Sequence, residues 1–183
     1  HGDGAVVSMP PNPAVMNNIW SMIEKGAADA GRDIDRNSFY TTGLAAMVVL
    51  DEGEEIDSKR VKHECGAFAM ATLHYAYDQL RNFGQQPPGY LRGMWDEYKA
   101  MLDEVPEEIR HQRIHAGHNC WVTPEEEKFI TRDLIETTCM VGTRDQLLDR
   151  LYALSEAGLD QVMIMPSLDP RFEAIERVAR DII

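Results

Sequence analysis

Basic residues are scarce in this chain: 18 Lys and Arg stand against 31 Asp and Glu, a formal net charge of −13 over 183 residues. A surface that negative repels phosphate backbones and anionic headgroups at long range. Nucleic acid and membrane surfaces are therefore poor candidate partners, although a local basic pocket for one small anion stays open. Cysteine is scarcer still, with only Cys65, Cys120 and Cys139, an odd number at wide and irregular spacing. That argues against a disulfide framework and for a reducing cytoplasm. Long apolar runs are missing too, since stretches such as Leu44 to Leu50 fall far short of the ~20 residues of a membrane span. No basic-then-apolar leader is visible. An initiating Met is also absent: His1-Gly2-Asp3-Gly4 leads straight into an apolar run, and the sequence reads as a chain entered partway through. What remains is the composition of a folded protein, 44% hydrophobic and 27% charged, at a length that suits a single domain.

The apolar pattern alternates between strands and helices. Ala5 to Met9 is short, apolar and stopped by Pro10-Pro11, as a buried strand should be. Asn12 then stands as N-cap with Pro13 at the first helical position, and one apolar face continues to the break at Gly31. Phe39 to Leu50 is β-branched, aromatic and almost unbroken in apolarity, the pattern of a parallel strand covered on both faces. An acidic loop from Asp51 to Asp57, read as solvated, leads into a long helix over about 58–80. A Gly/Pro loop at 83–89 and a short helix from Tyr90 to about Leu102 interrupt the alternation, so that about 83–122 reads as a helical and loop insertion. Thr123 with Glu126, and Thr143 with Gln146, have the spacing of capping boxes. The second starts a helix that ends at Gly158 and hands over to a strand at Val162 to Met165. A last helix follows Asp169-Pro170, with Phe172, Ile175, Val178, Ala179 and Ile182 expected on its inner face.

Strands joined by long helical connections pair in parallel with right-handed crossovers, so the class is α/β. Three strong strands alone would cover their helices poorly, which favours part of a larger βα barrel over a complete small fold.

Several stretches carry a family resemblance, in order along the chain. They are Gly2-Asp3-Gly4-Ala5-Val6-Val7, the helix end Gly26 to Asp33, and the closing Val141-Gly142-Thr143-Arg144-Asp145-Gln146-Leu147 with Leu154 to Val162. Together they resemble the C-terminal half of luciferase-like oxidoreductases, the superfamily of bacterial luciferase, flavin-dependent monooxygenases and deazaflavin-dependent reductases such as methylenetetrahydromethanopterin reductase. The stretch His111 to Thr123 is similar to a deazaflavin-dependent subgroup. The resemblance implies a (β/α)8 TIM barrel of which this chain holds about strands six to eight, with an inserted segment. It implies FMN or the deazaflavin coenzyme F-420 as cofactor and a small organic substrate. It also implies a partner that completes the barrel, either the missing N-terminal half or a second copy in a homo-oligomer. A non-catalytic half-barrel that oligomerises through apolar edges at strands 5–9 and 161–165 is the alternative.

In such barrels the active site forms at the C-terminal ends of the strands. That rule selects Ser8 and Met9 after the first strand, and Met165 and Ser167 after the last, as cofactor-binding candidates. Each competes with ordinary strand-to-loop packing. His111, His115, His118 and Cys120 form H-x3-H-x2-H-x-C. Zinc is one reading of that spacing, but Gly117 interrupts any helix there and no carboxylate is obviously placed nearby. The resemblance instead makes His115 and His118 a catalytic polar patch at the pocket mouth, with His118 foremost and His111 on the substrate side. Arg92, between Gly89 and Gly93, is a candidate anion clamp for the substrate. His63-Glu64 does not begin a metalloprotease motif, because position 67 is Ala. Cys65, Trp95 and Tyr98 read as core.

Overall fold

The computed structural model describes residues 2–8 and 12–183. Its strands are all parallel. Strand β1 (Gly4–Val7) is followed by helix α1 (Pro13–Asp29), which starts where Asn12 Oδ1 accepts from Ala14 N at 2.8 Å. The long apolar segment read as one strand is two, β2 (Tyr40–Ala45) and β3 (Met47–Val49), parted at Ala46. Helix α2 (Lys59–Phe83) follows, capped by Ser58 and closed at Gly84 in the left-handed region. A 3-10 turn at Gly89–Leu91 and helices α3 (Arg92–Asp103) and α4 (Glu107–Ile114) occupy the interruption. Then come α5 (Arg132–Thr138), β4 (Met140–Gly142), α6 (Arg144–Glu156), β5 (Gln161–Ile164) and α7 (Arg171–Asp181). None of the described helices is long and apolar enough to cross a membrane.

The split at Ala46 has a topological cause: the two halves of the segment pair with different neighbours. β2 lies between β1 and β5, in the order β1-β2-β5, whereas β3 pairs with β4. β4 was not expected from its sequence. At three residues it is too short to show a period, and it becomes a strand because β3 offers it a ladder. The described strands form an open arrangement, without barrel closure.

Two cores share these strands. Alternate residues of the β3-β4 pair feed both: Val48 and Val141 join the core under α2, α3 and α5, while Met47, Val49 and Met140 join the core under α1 and α6. Side chains of β1, β2 and β5 alternate likewise, and Val7, Ala45, Val162 and Ile164 pack into the second core. The other face of that sheet is open except around Thr42, which is buried, and Leu44, which packs against the first core. On it lie Val6, 65% exposed, Tyr40, 54% exposed, and Met163, 47% exposed.

The second capping box forms as expected, with Thr143 N donating to Gln146 Oε1 at 2.9 Å. The first does not start an α-helix; its residues make a turn and a 3-10 segment (Glu127–Phe129), because Glu126 is turned inward. In α7 the inner face is Ala174 and Val178, against β3, while Phe172, Ile175 and Ala179 are exposed. Val178 and Ile182 face inward as expected, whereas Ala174 takes the place expected for Phe172 and Ile175, and Phe172 lies under the Arg171 guanidinium, 4.4 Å from the ring centroid. The acidic loop is tied down rather than merely solvated. Arg60 bonds Glu54, Glu64 Oε1 at 2.8 Å and the Val49 carbonyl at 3.0 Å, and Arg177 reaches Asp51 at 2.6 Å.

Candidate functional site

A buried polar network stands where the insertion packs against α2. His74 is 2% exposed and Glu126 1%, and His74 Nε2 lies 3.0 Å from Glu126 Oε1. The other oxygen of Glu126 accepts from Thr123 Oγ1 at 2.7 Å. On its far side His74 Nδ1 lies 2.8 Å from Nδ1 of half-buried His118. His115 completes the group, with its Nε2 3.1 Å from Asp78 Oδ2 and its ring 5.2 Å from that of His118. Tyr98 stacks on His74 at 6.5 Å, with its hydroxyl buried and without a hydrogen-bond partner among the described residues.

Local sequence builds this geometry. α2 delivers His74 on its buried face, one turn before Asp78. The turn after α4 delivers His115 and His118, and it depends on Gly117. That residue has φ +73°, and a Cβ there would stand 2.4 Å from the Trp121 carbonyl oxygen. Only glycine suits both the left-handed backbone and the close approach. Thr123 and Glu126 then enter as a turn whose carboxylate closes the network.

The electrostatics are set by burial and charge together. Desolvation raises the pKa of Glu126, but the hydrogen bonds from His74 and Thr123 outweigh it and hold the carboxyl below its usual range. His118 is lowered, first by burial and then by the neighbouring His74 and His115 charges. Burial pushes the Tyr98 hydroxyl well above the ordinary tyrosine range.

The catalytic candidates His115 and His118 are thus brought together. His74 and Glu126, the two best-buried members, are not among the candidates the sequence offers: His74 belongs to no motif, and Glu126 has the spacing of a helix cap. A polar residue on the apolar face of a long helix was the signal available. The His111 side chain is exposed one turn back on α4 and makes no hydrogen bond to the group. Among the described residues no three His, Cys, Asp or Glu side chains are disposed to hold a metal ion. His111 stands apart and His118 Nδ1 faces His74, so His111, His115 and His118 do not converge on one point.

The strand-end candidates lie elsewhere. Ser8 is exposed past β1, and Met9 lies outside the described residues. Met165 packs against the first core. Ser167 is 4% exposed; its N–H donates to the Glu64 carbonyl at 3.0 Å, while its Oγ and Glu64 Oε2 are buried without hydrogen-bond partners. The His-rich turn is linked to this end of the sheet through Leu168 N, which donates to the Cys120 carbonyl at 2.7 Å. Along α2, however, Glu64 and His74 are separated by about 15 Å of helix rise, so the two groups do not converge on one point. Arg92 is exposed beside a pocket of about 360 Å³ lined by Gln86, Pro87, Pro88, Trp95 and Asp96, and the Asp96 carboxylate offsets its charge for an anion.

No family model matches the chain, and no curated protein matches it. Among solved structures, the chain shares its fold with a coenzyme F-420 dependent tetrahydromethanopterin reductase from Methanopyrus kandleri, at TM-score 0.56 and 18% identity. The alignment covers 100% of this chain and 45% of the reductase chain. The chain therefore has a parallel α/β fold like that of the matched part of this reductase, and spans less than half the length of that protein.

Proposed function

We propose that this chain is part of a luciferase-like (β/α)8 oxidoreductase that uses a deazaflavin coenzyme to transfer hydride to or from a small organic substrate. The observation that carries this reading is the likeness of fold, along the whole chain, to a reductase described as F-420 dependent. When bound, the deazaflavin would supply the hydride chemistry; the protein supplies orientation and excludes water. The strand ends fit such a group in part. The open sheet face offers Val6 and Met163 to a flat ring, and Ser167 Oγ with Glu64 Oε2, both buried and without hydrogen-bond partners, offers a hydrogen-bonding edge. His118 and His115 lie beside His74, which stands about 15 Å along α2 from Glu64, and suit the substrate end of a site rather than the cofactor ring.

The open sheet face supports a second element of the proposal, that further βα units of the same barrel cover it. β1 and β5 each have one strand neighbour among the described residues, and exposed apolar side chains there favour association. A non-catalytic half-barrel that pairs with a second copy of itself would use the same face. Absorbance and fluorescence titration with deazaflavin and with FMN, combined with sedimentation, separates these readings. Saturable deazaflavin binding supports the reductase, and FMN binding alone turns it into a flavin enzyme. A dimer that binds neither cofactor overturns the catalytic reading and leaves the self-paired half-barrel.

A further inference from the structure

The pair buried behind His118 determines where its protons sit. An ionised carboxylate accepts hydrogen bonds and cannot donate, so His74 Nε2, 3.0 Å from Glu126, carries a proton. The 2.8 Å contact between His74 Nδ1 and His118 Nδ1 holds a single proton, because two N–H groups or two bare lone pairs at that distance repel. Two arrangements satisfy both conditions. In the first, His74 is neutral, His118 donates from Nδ1, and His118 Nε2 presents a bare lone pair. In the second, His74 is an imidazolium against Glu126, and His118 carries its proton on Nε2. The two differ by one proton.

We propose that Glu126, His74 and His118 form a proton relay in which His118 Nε2 takes a proton from an O–H or N–H group of the substrate while the Nδ1 proton of His118 passes to His74. One N–H bond forms at His118 Nε2 as the substrate's O–H or N–H bond breaks. A second forms at His74 Nδ1 as the one at His118 Nδ1 breaks, and no electrons change hands. The positive charge comes to rest beside the Glu126 carboxylate, and His118 is neutral before and after. His118 Nε2 is available for this, since it has no hydrogen-bond partner among the described residues and its ring is half-buried. The surroundings agree. Asp78 on α2 and Glu126 on the loop favour positive charge, whereas His115 in the turn and Arg113 on α4 oppose a second one; Tyr98 on α3 is a neutral stacking partner. Glu126 and His74 are thus positioning residues that act through His118. The substrate class, a small organic molecule that presents an O–H or N–H group to His118, rests on the oxidoreductase reading; the relay geometry does not.

Proton–nitrogen correlation NMR of the histidine rings across a pH titration tests the relay in the unaltered protein. At mildly alkaline pH His118 is expected as the Nδ1–H tautomer and His74 as Nε2–H. On acidification His74 should become doubly protonated while His118 switches to Nε2–H. An Nε2–H tautomer for His118 at alkaline pH, or His118 as the first ring to become doubly protonated, would overturn the proposal. Glu126→Gln should lower the midpoint of this shared titration by about one pH unit or more, as loss of an adjacent charge does; an unchanged midpoint would also overturn it. Cofactor titration of the same samples reads the oxidoreductase proposal separately, so either can fail while the other stands.

Discussion

The β3-β4 pair and the β1-β2-β5 sheet are built from similar apolar residues and are covered differently. Every residue of β3 and β4 is buried, because α2 and α5 cover one face and α6 and α7 the other. In β1 and β5 burial alternates, with one face under the second core and the other facing outward. Composition and burial agree in the first pair and disagree in the second. Val6 and Met163 are the side chains of a doubly covered strand, held in a singly covered one. That mismatch is the physical reason to expect another layer on the open face, and it needs no reference to any related protein.

The contrast can be tested from its stronger side first. Trp20 is 1% exposed under the covered face, and its Nε1–H donates to the Gly158 carbonyl at 2.9 Å. Trp20→Ala should cost about 3–5 kcal/mol in chemical denaturation. Gly158→Ala should cost about 2–3 kcal/mol through strain and overpacking together, since its φ is +88° and a Cβ would stand 2.4 Å from Trp20 Nε1. On the insertion side, Gly117→Ala should cost a similar ~1–3 kcal/mol and also displace His118, read as loss of the His74–His118 coupling in histidine NMR. On the open face, Val6→Thr with Met163→Thr should change the stability of the single chain by no more than about 0.5 kcal/mol per site, yet weaken any self-association in sedimentation. A large loss of monomer stability there would mean that the face is already covered.

The smallest effect concerns the loop between β3 and α2. The Arg60 side chain, outweighing partial burial, holds the Glu54 carboxyl down at about 2, against an ordinary 4.5. A carboxyl lowered in the folded state stabilises it fully above the unfolded value, and that contribution fades as pH falls through the folded one. Denaturation curves from pH 4.5 down toward 2 should therefore fall less steeply for Glu54→Gln than for the native chain; parallel slopes would show that the ion pair contributes nothing to folding.

Much of the fold was legible because local chemistry wrote it. Asn12 and Pro13 start a helix, and Thr143 with Gln146 starts another, through bonds spanning two or three residues. The α2 period survives over 25 residues, long enough for its buried face to be read. What stayed illegible depended on distant partners. Ala46 divides a strand only because β4, more than ninety residues on, pairs with its second half. Glu126 has the sequence position of a helix cap, and it became the partner of His74 because the insertion folds back across α2. His118 was visible as part of a histidine cluster, but its hydrogen-bond partner was not.

The sequence by itself determined the parallel α/β class, the main helices with two of their caps, and a histidine-rich turn hinged on Gly117. These follow from backbone preferences and hydrophobic period, which act within a few turns of chain. Only the tertiary structure decided which strands are covered on both faces, which histidine meets which carboxylate, and that the strand-end groups stand apart from the relay. Those outcomes depend on burial and hydrogen bonding between residues far apart in sequence, and no local pattern encodes them.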